Sequence, residues 1–264
     1  MMPLIASTGP HISIKAEEVF HVAGIAVTNS MLLGFVGYAI IIALAITLAR
    51  GIQNGSRSRF VLAGQWLFEV LYSMTADVLG DKRLARRVAP LAITIFFVVL
   101  VSNWLGTMPG VGPIHWGDAP LFRGLAADLN FTFALALVTM VAVQLYAIKQ
   151  HGLWGNAKRY LINPLTNPVG TFEGILEFIG EFSRFVALSM RLFGNVFGGE
   201  VLLVVIAYLS SWLGFLPLPI FMGFELFIGA LQAFVFYMLT IIFISLAVSH
   251  GDHGAEAHGK EATA

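Results

Sequence analysis

Ser189-Met190-Arg191-Leu192-Phe193-Gly194-Asn195-Val196-Phe197-Gly198-Gly199-Glu200 is the stretch that decides how this chain folds. It lies inside a run of more than forty mostly apolar residues, Thr171 to Leu213. An arginine, an asparagine and a glutamate in such company are costly wherever they meet lipid, and membrane chains that keep them turn them toward a bundle interior or a watery cavity. Continuous hydrophobicity from Phe182 onward predicts a helix, because in lipid only a helix or a closed barrel satisfies its own backbone groups. At about 1.5 Å per residue the run is roughly 60 Å long, about twice the hydrocarbon thickness, so the helix must be strongly tilted or leave the membrane. At about 100° per residue Arg184, Arg191, Asn195 and Gly198 share one stripe, whereas Glu200 lies about 180° from Arg191. Arginine and glutamate are therefore expected to serve different sides. Gly194 and Gly198 form a small-xxx-small pair on the arginine side, where another helix can approach closely.

The composition of the whole chain agrees with a membrane setting. Of its 264 residues 58% are hydrophobic and only 11% charged, with a mean hydropathy of +0.83, which predicts an all-α, polytopic helical membrane protein. Formal net charge is zero, so charge balance gives no reason to expect a nucleic-acid partner. The absence of cysteine excludes disulfides, thiolate metal sites and cysteine nucleophiles. Lys15, Glu17 and Glu18 interrupt the N-terminal region with no apolar h-region, so no cleavable signal peptide is expected.

About five membrane-embedded helices are expected, the last two long and strongly tilted. Residues 1–28 form an external segment in which Val19 to Val27 reads as a brief surface helix. A first span occupies 29–50, clearest from Met31 to Ala49. Residues 51–87 form an amphipathic connection, with Phe60 to Leu79 lying at the interface because it carries Gln65, Glu69 and Asp77. A two-span hairpin covers 88–148, its helices Val88 to Met108 and Leu129 to Ile148 joined by a Pro/Gly-rich loop whose single basic residue is Arg123. A loop at 149–170 holds the turn signals Asn163-Pro164 and Asn167-Pro168. A long helical hairpin at 171–248 turns at Gly214 to Pro219, and a polar tail, expected to be disordered, fills 249–264. Ten of the fifteen basic residues lie in the 50–87 and 149–168 connections, which puts both in the cytoplasm and the 109–127 loop outside. The C-terminal tail is then cytoplasmic. No internal repeat is evident, against inverted-repeat transporters.

Arg191-Leu192-Phe193-Gly194-Asn195, then Glu200, then Gln232 within Leu231-Gln232-Ala233-Phe234, resembles the a subunit of F-type ATP synthases. Ser102-Asn103, Asp128-Leu129-Asn130 and the order of segments extend the resemblance over nearly the whole chain. It implies the stator half of a proton turbine, with the two last helices tilted against a rotating ring of c subunits. Further implied partners are the b-type peripheral stalk subunits, the rest of the complex and the bilayer. A bacterial plasma membrane is the expected location, a thylakoid membrane the alternative. Glu225 stands where other members can carry histidine; both side chains ionise, so a relay role survives the change.

In such a stator Arg191 is the central residue. Its guanidinium stays charged at any physiological pH, so an arriving ring carboxylate loses its proton rather than passing neutral. The same fixed charge separates two aqueous half-channels. Glu200 and Glu225 are read as proton relays of the outer half-channel, since neighbouring carboxylates titrate as a coupled pair suited to hand-off; for Glu225 the alternative is a packing partner. Asn195 and Gln232 do not titrate and are assigned to channel lining, with an interhelical hydrogen bond as the alternative. Glu173, Glu177 and Glu181, spaced by four, are candidates for the inner half-channel, although acidic residues in early helical turns also complement the helix dipole. His115, Asp118 and Asp128 are candidates for the outer mouth.

No cofactor or metal is expected, because all seven histidines fall outside the predicted spans. There is no Walker-type glycine loop, so the chain is not an enzyme alone and ATP must be handled by partner subunits. The competing readings are a self-contained secondary transporter or channel, with Arg191 binding an anion, and a redox proton-pump subunit lacking its ligands.

Overall fold

The structure, a computed structural model, describes residues 13, 15–22, 25–109, 111, 115–116, 119–160, 168–210 and 216–261. Six α-helices are present among them: α1 (Asn29–Gln53), α2 (Arg59–Leu79), α3 (Lys82–Thr107), α4 (Leu129–Tyr160), α5 (Pro168–Ser210) and α6 (Pro217–Glu261). Five are long and apolar enough to cross a membrane; α2 is not among them. That difference follows from Gln65, Glu69 and Asp77, and Gln65 donates to Glu69 at 2.9 Å on the exposed side of α2. At 43 residues, α5 has about twice the length needed to cross hydrocarbon. The all-helical, polytopic architecture is as the composition predicts, with the last two helices long.

Three elements differ from expectation. Val19 to Val27 is not a helix: β1 (Glu18–Val22) and β2 (Ile25–Thr28) pair antiparallel, with a register shift between Glu18 and Phe20. Segments rich in Val, Ile, Phe and Thr favour a pleated, half-buried surface over a helix of under three turns. The third span does not stop at Ile148, because α4 runs to Tyr160 across a non-helical Gly152 (φ 74, ψ 166). His151, expected in a loop, consequently falls within the span candidate Leu129–Leu153 and its Nε2 lies 2.8 Å from the Val248 carbonyl. Finally, α6 continues to Glu261, through most of the expected disordered tail. The signals Asn163-Pro164 and Asn167 lie outside the described residues, as does the Gly214-Phe215 part of the last turn.

Two compact units divide the chain. The first contains Met1–Ile42, Val98–Thr132 and Arg191–Gln232; the second contains Ala43–Phe97, Phe133–Met190 and Ala233–Ala264.

In the first unit a second small hairpin, β3 (His115–Trp116) with β4 (Ala119–Pro120), belongs to the loop between α3 and α4. Buried Asn29 ties the β1–β2 hairpin to that loop: its Oδ1 accepts from the Glu17 amide at 3.2 Å and its Nδ2 donates to the Pro120 carbonyl at 3.2 Å. Ser30 Oγ donates to Asp128 Oδ2 at 2.8 Å, while Asp128 Oδ1 accepts from the Asn130 amide at 3.0 Å and so caps α4. Gly106 and Gly124 let two backbones meet; a Cβ on Gly106 would stand 3.0 Å from the Gly124 Cα.

The second unit has its own core, in which Val88, Val143, Ala147, Ile244 and Ala247 pack together. Helix α2 starts at Ser58, whose hydroxyl accepts from Val61 N at 3.3 Å, and stops at Gly80 in the left-handed region (φ 68), where only glycine sits without strain. Fully buried Tyr237 donates to the Leu71 carbonyl and shares a 2.7 Å hydrogen bond with Thr75. A phenol hydroxyl held this way is satisfied in an apolar core, where an unpaired one would be costly.

Candidate functional site

The first unit gathers Arg191, Asn195 and Glu200 of α5 with Glu225 and Gln232 of α6. Arg191 opens its α5 segment. It is exposed, and among the described residues it has no hydrogen-bond or ion-pair partner. Around it the surface is open and apolar: Cβ atoms added at Gly194 and Gly198 would meet nothing within 4 Å, and Leu202 and Leu209 are exposed. Those residues fall on the arginine stripe, since steps of three and four return to the same side of a helix. Asn195 is partly buried and likewise has no hydrogen-bond partner among the described residues.

Glu200 faces another way. Its Oε2 lies 3.5 Å from the Nε of Arg123, which is 4% exposed. Its helix neighbour Gly199 abuts Glu225 of α6: a Cβ on Gly199 would stand 2.9 Å from the Glu225 Cδ. The two carboxyl groups are close enough for their charges to interact. Glu225, Gly229 and Gln232 follow one another on one side of α6 at steps of four and three. Against that side stands α3, whose Asn103 Nδ2 donates to the Gly229 carbonyl at 3.2 Å and whose Trp104 Nε1 donates to the Leu226 carbonyl at 3.0 Å.

These groups have a second property in common. Among the described residues, the buried side-chain polar atoms without a hydrogen-bond partner are Asn103 Oδ1, Arg123 Nε, Glu200 Oε2, Glu225 Oε2 and Gln232 Nε2. All five belong to the first unit. Buried polar atoms are nearly always partnered, by protein or by internal water. Such a concentration of sparsely bonded polar atoms, two of them the facing partners of the Arg123–Glu200 ion pair, suits a wetted path better than a packed core, and its two carboxyl groups can take up and release protons.

Sequence reasoning missed Arg123. The available signal was its isolation as the single basic residue of the 109–127 stretch.

The remaining candidates are placed elsewhere or differently. Glu177 and Glu181 belong to the second unit, where Glu181 accepts from Gln144 at 2.6 Å. The Glu173 side chain is not described. Asp128 has both oxygens engaged, by Ser30 and by the α4 amide. The backbone of His115 is in β3, its side chain is not described, and Asp118 lies outside the described residues. No group of three His, Asp or Glu side chains that would hold a metal occurs among the described residues.

A family model described as ATP synthase A chain matches residues 31–245. The chain belongs to that family. It is 32% identical over 241 residues to the ATP synthase subunit a of Mycobacterium leprae, covering 86% of this chain and 88% of that one. To the subunit a of Acidothermus cellulolyticus it is 31% identical over 232 residues, 86% and 79% of the two chains. To that of Aliivibrio salmonicida it is 36% identical over 201 residues, 72% and 73%. The resemblance carried by Arg191 to Glu200 and Gln232 is thus borne out. As a family member the chain is a multi-pass, proton-conducting stator subunit of an F-type ATP synthase, and it performs no nucleotide chemistry itself.

Proposed function

We propose that Arg191 is the fixed charge past which the carboxylates of a c-subunit ring must ionise, and that it keeps two half-channels apart. The observation that carries this reading is the contrast along α5. Arg191 stands exposed and without a partner among the described residues on an open apolar side, while Glu200 turns into the internal polar cluster with Glu225. An unpaired guanidinium among apolar side chains is a costly feature for a chain on its own. It becomes useful when another subunit brings acidic groups to it, since a nearby cation favours the ionised carboxylate.

In this reading Glu200 and Glu225 relay protons through the outer half-channel, with Asn103, Asn195 and Gln232 lining it. Glu177 and Glu181 line the inner one. The ring meets the side of α5 carrying Arg191, Gly194 and Gly198, the b-type stalk subunits bind elsewhere on the chain, and the whole sits in a bacterial plasma membrane. The basic connections 50–87 and 149–168 face the cytoplasm, by the same charge asymmetry that sets orientation in membrane chains.

The absence of native cysteine makes a direct test possible. Single cysteines at Gly198 or Leu202 are expected to cross-link to a cysteine placed in the outer helix of the c subunit, and a cysteine at Gly199 is not. Cross-linking from Gly199 but not from Gly198 or Leu202 would put the ring on the wrong side of α5 and end this reading.

A further inference from the structure

Arg123 is the only charged side chain fully inside the fold among the described residues. A buried charge is retained only with good partners, because desolvation costs several kcal/mol per ion. Its partners are unusual in their division of labour. Nη1 donates to the Lys15 carbonyl at 2.8 Å and Nη2 to the Ser13 carbonyl at 2.7 Å, so both arms of the fork are fixed by backbone more than a hundred residues away in sequence. The guanidinium carbon stands 5.9 Å from the centre of the Phe197 ring, one turn before Glu200 on the same helix. The third nitrogen, Nε, is aimed at Glu200 Oε2 from 3.5 Å.

That distance carries the argument. A charge-assisted hydrogen bond commonly closes to about 2.7–2.9 Å; at 3.5 Å the two charges form a looser ion pair. The planar fork cannot swing to close the gap without breaking two backbone hydrogen bonds. Glu200 is therefore paired with a fixed cation, beside Glu225.

We propose that Arg123, anchored on the Ser13 and Lys15 carbonyls, is a positioning residue of the proton path that, by pairing with Oε2, fixes where the Glu200 carboxyl stands. This rests on the relay reading of Glu200. Glu200 takes a proton from the outer water and passes one to Glu225, ending as it began, while Arg123 neither gains nor loses one. The N-terminal segment thereby becomes part of the conducting apparatus, since its carbonyls hold the residue that holds the relay.

The test measures passive proton conductance through the assembled membrane sector in vesicles under a potassium diffusion potential, with subunit retention checked by immunoblot. Arg123→Gln is expected to lower conductance about tenfold with the subunit retained, and Arg123→Lys, which keeps the charge but not the fork, to recover part of the loss. In a Glu200→Asp background, where the carboxyl has already left its place, Arg123→Gln is expected to cost less than about twofold, since residues acting through one another do not multiply their effects. Losses that multiply, or normal conductance in Arg123→Gln, would overturn the proposal. So would loss of the subunit from the membrane in both Arg123 variants, which would make the residue a folding anchor. Glu200→Gln separates the two readings: normal conductance in that variant refutes the relay itself, whereas its loss beside an unaffected Arg123→Gln refutes only the positioning role.

Discussion

Replacing Gly199 by alanine should disable the relay while leaving the fold intact. The added Cβ would stand 2.9 Å from the Glu225 Cδ and 3.3 Å from its Cγ, whereas carbon atoms in good contact are about 3.5–4.0 Å apart. The Glu225 carboxyl must therefore retreat by about 0.5–1 Å. What yields is the free end of a side chain, so the cost is a displaced rotamer worth about 0.5–1.5 kcal/mol. Against it stands a gain of up to about 1 kcal/mol from exchanging glycine for alanine in a helix interior. The two nearly cancel, and thermal stability of the purified membrane sector should change little. Function should not be spared, because misplacing a reacting group by about 1 Å costs on the order of 10²-fold. ATP-driven proton pumping in inverted vesicles is expected to fall at least about tenfold. Glu225→Asp in the same chain withdraws the carboxyl by one methylene and should restore part of the pumping. Parental pumping in Gly199→Ala would show that the position of the Glu225 carboxyl is unimportant and would refute the reasoning.

Gly106→Ala is the contrasting case: its Cβ would meet the Gly124 backbone at 3.0 Å, nothing flexible can yield, and a loss of about 1–3 kcal/mol should appear as a lower melting temperature and poorer assembly. Tyr237→Phe removes one buried hydroxyl while Thr75 keeps its 2.9 Å hydrogen bond to the Leu71 carbonyl, so it should cost about 0.5–1.5 kcal/mol, whereas Thr75→Val, which leaves the Tyr237 hydroxyl its Leu71 acceptor, should cost no more; thermal unfolding in detergent reads both. Asp128→Ala should cost about 1 kcal/mol through the lost α4 cap. Asp128→Asn, which keeps an oxygen acceptor, should restore stability with passive proton conductance near the parental value; a conductance collapse in Asp128→Asn would instead support the outer mouth.

The helices were legible because long apolar runs leave a membrane chain no other backbone solution. What the pattern could not give were elements whose reason is not local. The β1–β2 hairpin is fastened by Asn29 to the loop ahead of α4, 91 residues away. The continuation of α4 past Ile148 and of α6 past Val248 lies beyond the apolar runs, in polar sequence that carries no span signal. Glu200 and Glu225, the proposed relay, were visible as carboxylates in long apolar helices and through the family resemblance. Arg123 was not, because it looks like an ordinary loop cation until the fold brings Glu200 and the Ser13 and Lys15 carbonyls around it. Asp128 was legible as an acidic residue at a span's start, but its local bonds were not: its two oxygens are engaged by Ser30 and the α4 backbone.

The most direct test of the stator account is Arg191→Ala in the membrane sector reconstituted into liposomes, with passive proton flux and, after the catalytic sector is added back, ATP-driven pumping measured on the same preparation. The account predicts that pumping vanishes while passive leak persists or rises, since the barrier between half-channels has gone. Coupled pumping that survives intact would contradict it.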